Sequence, residues 1–133
     1  MNGKSFLDTN ILIYAFASND PRSARAEMLV SAGGAISVQV MNEFVDVCRR
    51  KIRLDWRRIE SALHIITDLL DPPLSLTAEL HRNAVTIART HGFSFYDSLI
   101  VSAAASAGCD ALLTEDMQHG QNIGPVTIHN PFR

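Results

Sequence analysis

Apolar residues recur along the chain in short blocks, and the spacing inside each block predicts an element. Ser5-Phe6-Leu7 reads as a strand ending in Asp8-Thr9-Asn10, and Ile11 to Ala17 as a helix. Asp20-Pro21 predicts the start of a second helix, with Asp20 as its cap and Pro21 in the first helical position; Gly33-Gly34 ends it. Ala35 to Val38 reads as a short buried strand. From Gln39 onward Val40, Phe44, Val47 and Cys48 recur at helical spacing and carry Glu43 with them. Asp55 caps a helix through Ile59, Leu63, Ile66 and Leu70, which Asp71-Pro72-Pro73 closes. Leu74-Ser75-Leu76 reads as a brief strand, and Thr77 as the cap of a helix reaching His91 and stopping at Gly92. Tyr96 to Ala107 is a small-residue helix, Ala111-Leu112-Leu113 an apolar strand, and Val126-Thr127-Ile128 the last strand.

Short strands alternating with longer helices predict an α/β fold, a parallel sheet of four to five strands sandwiched by helices. No linker, repeat or low-complexity tract interrupts the pattern, so residues 1–133 read as one domain. In such folds the functional loops lie at the carboxyl ends of the strands.

Three acids occupy such places. Asp8 follows the first strand, Asp116 lies just past Leu113, and Asp97 begins the helix after Phe93-Ser94-Phe95-Tyr96. Glu43 sits within a helix among apolar neighbours. Singly, Asp8 and Asp97 are explained as helix caps worth about 1 kcal/mol, and Asp116 as a turn residue. Jointly, four carboxylates converging on one crevice repel one another unless a cation is present. Hard ions such as Mg²⁺ or Mn²⁺ take oxygen ligands of this type, and one or two of them can activate a water and stabilise a leaving oxygen in phosphodiester hydrolysis.

The succession Asp8-Thr9-Asn10, Ser37-x-Gln39-Val40-x-Asn42-Glu43-Phe44, Phe95-Tyr96-Asp97-Ser98 and Leu113-Thr114-Glu115-Asp116 resembles the PIN-domain ribonucleases. More narrowly, it is similar to the VapC toxins of bacterial toxin–antitoxin pairs. The resemblance implies a metal-dependent endoribonuclease with Asp8, Asp97 and Asp116 as metal-binding aspartates and Glu43 as the helix-borne acid of the same catalytic site. It implies supporting roles for Thr9, Asn10 and Thr114, with Mg²⁺ or Mn²⁺ as cofactor, one or two ions per site. RNA as substrate, a VapB-like antitoxin across the active-site groove and a homodimer as the basic unit follow from the same likeness. Glu115, beside Asp116, is expected to be exposed.

Charge adds one feature. With 12 Lys+Arg against 14 Asp+Glu the net charge is −2, which excludes a generic polycation. Yet Arg49, Arg50, Lys51, Arg53, Arg57 and Arg58 crowd one decade around Trp56, half the basic residues of the chain. The run is either a solvated face or a phosphate-tracking strip for RNA. Trp56 is expected to pack, and base stacking is the other use of an aromatic there. Without the four site acids the balance becomes 12 basic against 10 acidic residues.

The remaining chemistry is mostly excluded. The five histidines show no HxxxH or HExxH spacing, and there is no GxSxG elbow or phosphate-binding GxxxxGK[ST] loop. Cys48 and Cys109 form no CxxC, no leader precedes the first strand, and no apolar run reaches the roughly 18 residues of a membrane span. A reduced, cytoplasmic, non-membrane protein is the expectation. Two rivals stand beside the nuclease: a haloacid-dehalogenase-type phosphohydrolase, which needs a second Asp where this chain has Asn10, and a non-catalytic interaction module in which the acids are only caps.

Overall fold

The first apolar run forms β1 (Ser5–Leu7), and the rest of the sheet assembles around it; the computed structural model describes residues 3–133. The elements that follow are α1 (Thr9–Phe16), α2 (Ser23–Ser31), α3 (Val38–Val47), α4 (Trp56–Leu69), α5 (Ala78–His91) and α6 (Phe95–Ser106). The strands β2 (Ala111–Leu113), β3 (Asn122–Ile123) and β4 (Val126–His129) close the chain. The sheet runs β1-β2-β4-β3, with the first three parallel and β3 antiparallel to β4. Among the described residues the expected parallel sheet is present with four strands and six helices, and the short β3 adds one antiparallel edge.

Two expected strands shrink to single bridges. Ala35 pairs with Phe6, and Ser37 pairs with Leu74, extending the sheet beyond β1 by isolated contacts. Val38 already belongs to α3, because Ser37 caps that helix through its hydroxyl, which accepts from Val40 N–H at 3.2 Å. Gly34 makes the close approach possible: it sits at φ 139°, and a Cβ there would stand 2.7 Å from the Ser5 carbonyl oxygen.

The predicted caps of α4 and α5 are present. Asp55 accepts from Arg58 N–H and Thr77 from Leu80 N–H, while Gly92 ends α5 at φ 74°. At α2 the expectation is corrected. Asp20 is not its cap and Pro21 not its first residue; the helix starts at Ser23, and the Asp20 carboxylate instead folds onto Arg22. The competing force is the Arg22 guanidinium, which satisfies the carboxylate better than a helix N-terminus would.

Phe6, Leu7, Ile11, Leu12, Ile36, Val40, Phe44, Leu112 and Ile128 make the fully buried centre of the core. α6 is buried along most of its circumference. Its internal hydroxyls are satisfied, Ser98 donating to the Ser94 carbonyl at 2.9 Å and Ser102 to the Leu80 carbonyl at 3.0 Å. Cys48 and Cys109 are free and buried. Among the described residues no helix is long and apolar enough to cross a membrane.

Candidate active site

β1 and β2 pair in register through Leu7 and Leu113, so the residues that follow them emerge side by side. Asp8 N–H donates to the Leu113 carbonyl at 3.0 Å, continuing the ladder one step beyond the strand. The Asp8 side chain is 6% exposed and held on both oxygens: Oδ1 accepts from Thr9 N–H at 2.6 Å, and Oδ2 from the Thr114 hydroxyl at 2.7 Å. The same Thr114 hydroxyl accepts from Asp116 N–H at 3.1 Å. One threonine thus links the two strand-end acids. Asp8 also occupies the N-cap of α1.

Glu43 reaches this point from α3. It is half-buried, and its Oε1 accepts from the Thr9 hydroxyl at 3.2 Å. Asn10 donates from its amide to Asp116 Oδ2 at 2.8 Å. The side chains of Thr9, Asn10 and Thr114 therefore each donate to a different acid of the group. Asn10 stands where a phosphohydrolase of the dehalogenase type would place its second Asp, and here it acts as a donor to a carboxylate, which a second acid could not do at neutral pH. Asp97 lies in the first turn of α6, but Ser94 caps that helix, accepting from Asp97 N–H at 3.2 Å. Asp97 thus stands at the start of the helix as expected, and only the reading of it as the cap is corrected: its carboxylate is left for other partners.

Electrostatics ties the four acids together. Burial pushes Asp8 up to about 6, against the pull of its hydrogen bonds, and the charges of Asp116 and Glu43 push the same way. Burial also raises Glu43, with Asp97 and Asp116 adding to it. Asp116 is raised by burial, then by Glu115 and Asp97. None of the ion pairs among the described residues involves Asp8, Glu43, Asp97 or Asp116. Nor do any three His, Cys, Asp or Glu side chains among those residues already stand as a finished ligand set. The acids are in mutual electrostatic reach without having closed to coordination spacing. An almost fully buried carboxylate with acidic neighbours and no cationic partner fits a hard divalent ion in donor chemistry and in charge.

Glu115 departs from the expected exposure. Its side chain is only 17% exposed. It accepts from the Tyr14 hydroxyl and from Arg22 Nη1 at 2.8 Å, and Arg22 also grips Asp20 at 2.8 and 2.9 Å. The guanidinium lies 4.2 Å from the centroid of the Tyr14 ring. Tyr14 is pushed up to about 12, first by burial and then by Glu115, and Arg22 holds Asp20 down at about 2. From the sequence, Tyr14 reads as core or as part of a dimer seam, and neither it nor Arg22 is expected beside the acids. Tyr14 follows Asn10 by one helical turn and so shares its face of α1, but nothing local in the sequence pairs it with Glu115.

The basic run is exposed throughout. Arg49, Arg50 and Lys51 ride on a π-helical turn (Cys48–Ile52) that continues α3, and Arg53 follows it at φ 64°. Arg50 forms a two-point pair with Asp46 at 2.8 and 2.7 Å. Asp46 in turn borders a small cleft of about 270 Å³ with Gln39, Asn42, Glu43 and Tyr96, so this part of the run adjoins the acidic site. Arg57 and Arg58 face a separate groove of about 700 Å³ beside Phe16, Glu27 and Ile65. Trp56 does not pack into the core as expected; it is 53% exposed, with the Arg49 guanidinium 4.7 Å from its ring centroid. Capping by Asp55 places Trp56 at the first position of α4, where the amphipathic face has not yet turned inward. His119 accepts from Asn130 N–H through Nδ1 at 3.0 Å, which gives it a structural role in the last loop.

Comparison with solved structures finds related architectures throughout. VapC20 of Mycobacterium tuberculosis, a sarcin-ricin loop cleaving toxin, is 20% identical with a TM-score of 0.69, over 85% of this chain and 92% of that one. VapBC2 of Rickettsia felis, bound to a DNA fragment from their promoter, gives 22% identity and a TM-score of 0.67, over 95% and 97%. A toxin–antitoxin complex from Klebsiella pneumoniae gives 19% and 0.68, over 96% and 98%. A search of curated protein sequences returns no significant match. The family model for the PIN domain matches residues 5–121, a span that holds all four acids together with Thr9, Asn10 and Thr114. The chain belongs to the PIN domain family.

Proposed function

We propose that this PIN domain is a metal-dependent endoribonuclease, the VapC-like toxin of a type II toxin–antitoxin pair, acting in the cytoplasm with residues 1–133 as one unit. The observation that carries the reading is Asp8, nearly fully buried at the end of β1, surrounded by acids and without a basic partner. Asp8, Asp97, Asp116 and Glu43 would hold one or two Mg²⁺ or Mn²⁺ ions. Such an ion, when bound, supplies positive charge to the developing phosphorane oxygens and lowers the pKa of water.

The chain's own residues have separable tasks. Thr114 orients Asp8, Asn10 orients Asp116, and Thr9 orients Glu43, so these three acids each present a defined oxygen to the crevice. Glu43, whose carboxyl burial holds above the usual range, is suited to take the proton of the attacking water. The scissile phosphodiester then opens to a 5′ phosphate and a free 3′ hydroxyl. The fold likeness to toxin–antitoxin complexes supports a VapB-like antitoxin as partner, and a homodimer as the basic unit belongs to the same proposal.

Induced expression with mapping of new 5′ ends across cellular RNA tests this directly. Growth arrest accompanied by new ends at a small set of RNA sites is expected; arrest with no new ends would overturn the assignment.

For the substrate path, Arg49, Lys51 and Arg53 form the exposed strip nearest the α3 end, and Arg50 pairs with Asp46, which borders the cleft beside Glu43. Replacing Arg49, Lys51 and Arg53 together with Gln should weaken single-stranded RNA binding regardless of sequence. The slope of log affinity against log salt should flatten by about 2, roughly 0.7 per lost phosphate contact. Filter binding between low and moderate salt measures it, and an unchanged slope marks the run as a solvated face.

A further inference from the structure

α1 grips two consecutive acids of the loop after β2. Asn10 holds Asp116, and Tyr14, one turn along the same face, holds Glu115. Arg22 closes the arrangement from the α1–α2 connection: it bonds Glu115, lies against the Tyr14 ring, and is itself fixed by both oxygens of Asp20. Phe132 packs edge-on against the outer side of Tyr14, with ring centroids 5.4 Å apart. Glu115 is consequently tied to two segments far away in sequence, while its neighbour Asp116 faces the acidic crevice. A loop residue fixed at its side chain leaves the next residue little freedom to turn.

We propose that Tyr14, Arg22 and Glu115 are positioning residues, a latch that holds the Thr114–Asp116 turn against α1 and thereby sets the divalent-cation affinity of the Asp8–Asp116 site. The inference rests on the metal-dependent reading of that site and adds residues to it that bind neither cation nor RNA.

Charge and positioning give opposite signs for one substitution. Arg22→Met removes a positive charge close to an acidic site, so the field alone would tighten cation binding. Loss of the latch weakens it instead, since the turn that carries Asp116 is then held only through Asn10 and Thr114. Whole protein titrated with Mn²⁺, with free ion followed by electron paramagnetic resonance, reads the difference. About tenfold weaker Mn²⁺ binding is expected for Arg22→Met, within the range for loss of a partner behind a metal ligand. Tyr14→Phe, which removes a single hydroxyl and keeps the ring packing, should shift affinity in the same direction by a smaller factor. Melting in EDTA separates the effect from folding: a purely structural role lowers the melting temperature and leaves Mn²⁺ affinity of the folded protein unchanged.

Unchanged or tighter Mn²⁺ binding in Arg22→Met overturns the latch, whatever the wild type does to RNA. Wild-type protein that binds Mn²⁺ but cuts no RNA overturns the nuclease reading while a weakened Arg22→Met still supports the latch. Wild-type protein that binds no Mn²⁺ overturns both.

Discussion

Asp8→Asn should abolish RNA cleavage while leaving a folded protein, and cells induced to make it should grow as uninduced cells do. Losing a partner behind a metal ligand costs roughly 10–100-fold in affinity or activity. Asp8 is assigned to the ligand set itself, so the expected loss exceeds about 100-fold. Folding is protected because Asn serves as an N-cap about as well as Asp. Its Oδ1 can still accept from Thr9 N–H, and the Thr114 hydroxyl, which now donates to Asp8 and accepts from Asp116 N–H, can turn to accept from the new amide. A non-catalytic module whose Asp8 is only a cap makes the contrary forecast: Asp8→Asn would be silent in stability and in cells alike. Gel assay of a single-stranded RNA with Mn²⁺, run beside thermal melts, separates the two, and undiminished cleavage by the variant sinks the assignment.

What could be read ahead of the structure was whatever local chemistry decides. Asp55 and Thr77 cap their helices because a side-chain oxygen satisfies an N–H three residues on, and no distant residue competes. Asp8 and Asp116 were legible because each closely follows a short apolar run that reads as a strand. Where a distant partner decides, the pattern misleads. Asp20 has a cap's spacing but is captured by Arg22. β3 is two residues long and exists only through its pairing with β4 across Gly124, so no period could announce it. Glu115 looks like a loop acid in solution, and only the fold brings Tyr14 and Arg22 to it from about a hundred positions away. The acids of the candidate site were legible as a set; the scaffold that orients them was legible for Thr9, Asn10 and Thr114 and hidden for Tyr14 and Arg22. Oriented acids are a matter of tertiary contacts, and tertiary contacts leave no signature in neighbouring letters.

Those contacts store a measurable conflict in the metal-free protein, and its pH dependence has a definite sign. Asp8 titrates at about 6 when folded, against an ordinary value of 3.8, so between those pH values the folded chain holds a proton that the unfolded chain has released. Stability is therefore greatest at the acid end of this window and is lost as pH rises through 6. The shift corresponds to about 3 kcal/mol at 1.36 kcal/mol per pH unit, and Glu43 and Asp116 are displaced in the same direction. In EDTA, urea midpoints should fall between pH 5 and pH 7, a range that avoids the opposite titration of Asp20, held down at about 2, and in which, among the described residues, only His119, lowered by burial, is displaced so as to oppose the fall. Mn²⁺ should reverse the trend. It binds the ionised carboxylates of the folded state only, adding about 2.7 kcal/mol at a hundredfold excess over the dissociation constant, and more fully as the protons leave. The same midpoints with Mn²⁺ should hold level or rise from pH 5 to pH 7. Asp8→Asn removes the burial cost of that charge together with the site, so it should be more stable than wild type in EDTA at pH 7, lose most of the slope, and gain little from Mn²⁺. Flat wild-type midpoints in EDTA combined with no response to Mn²⁺ would mean that the buried acid carries neither the charge nor the cation assigned to it.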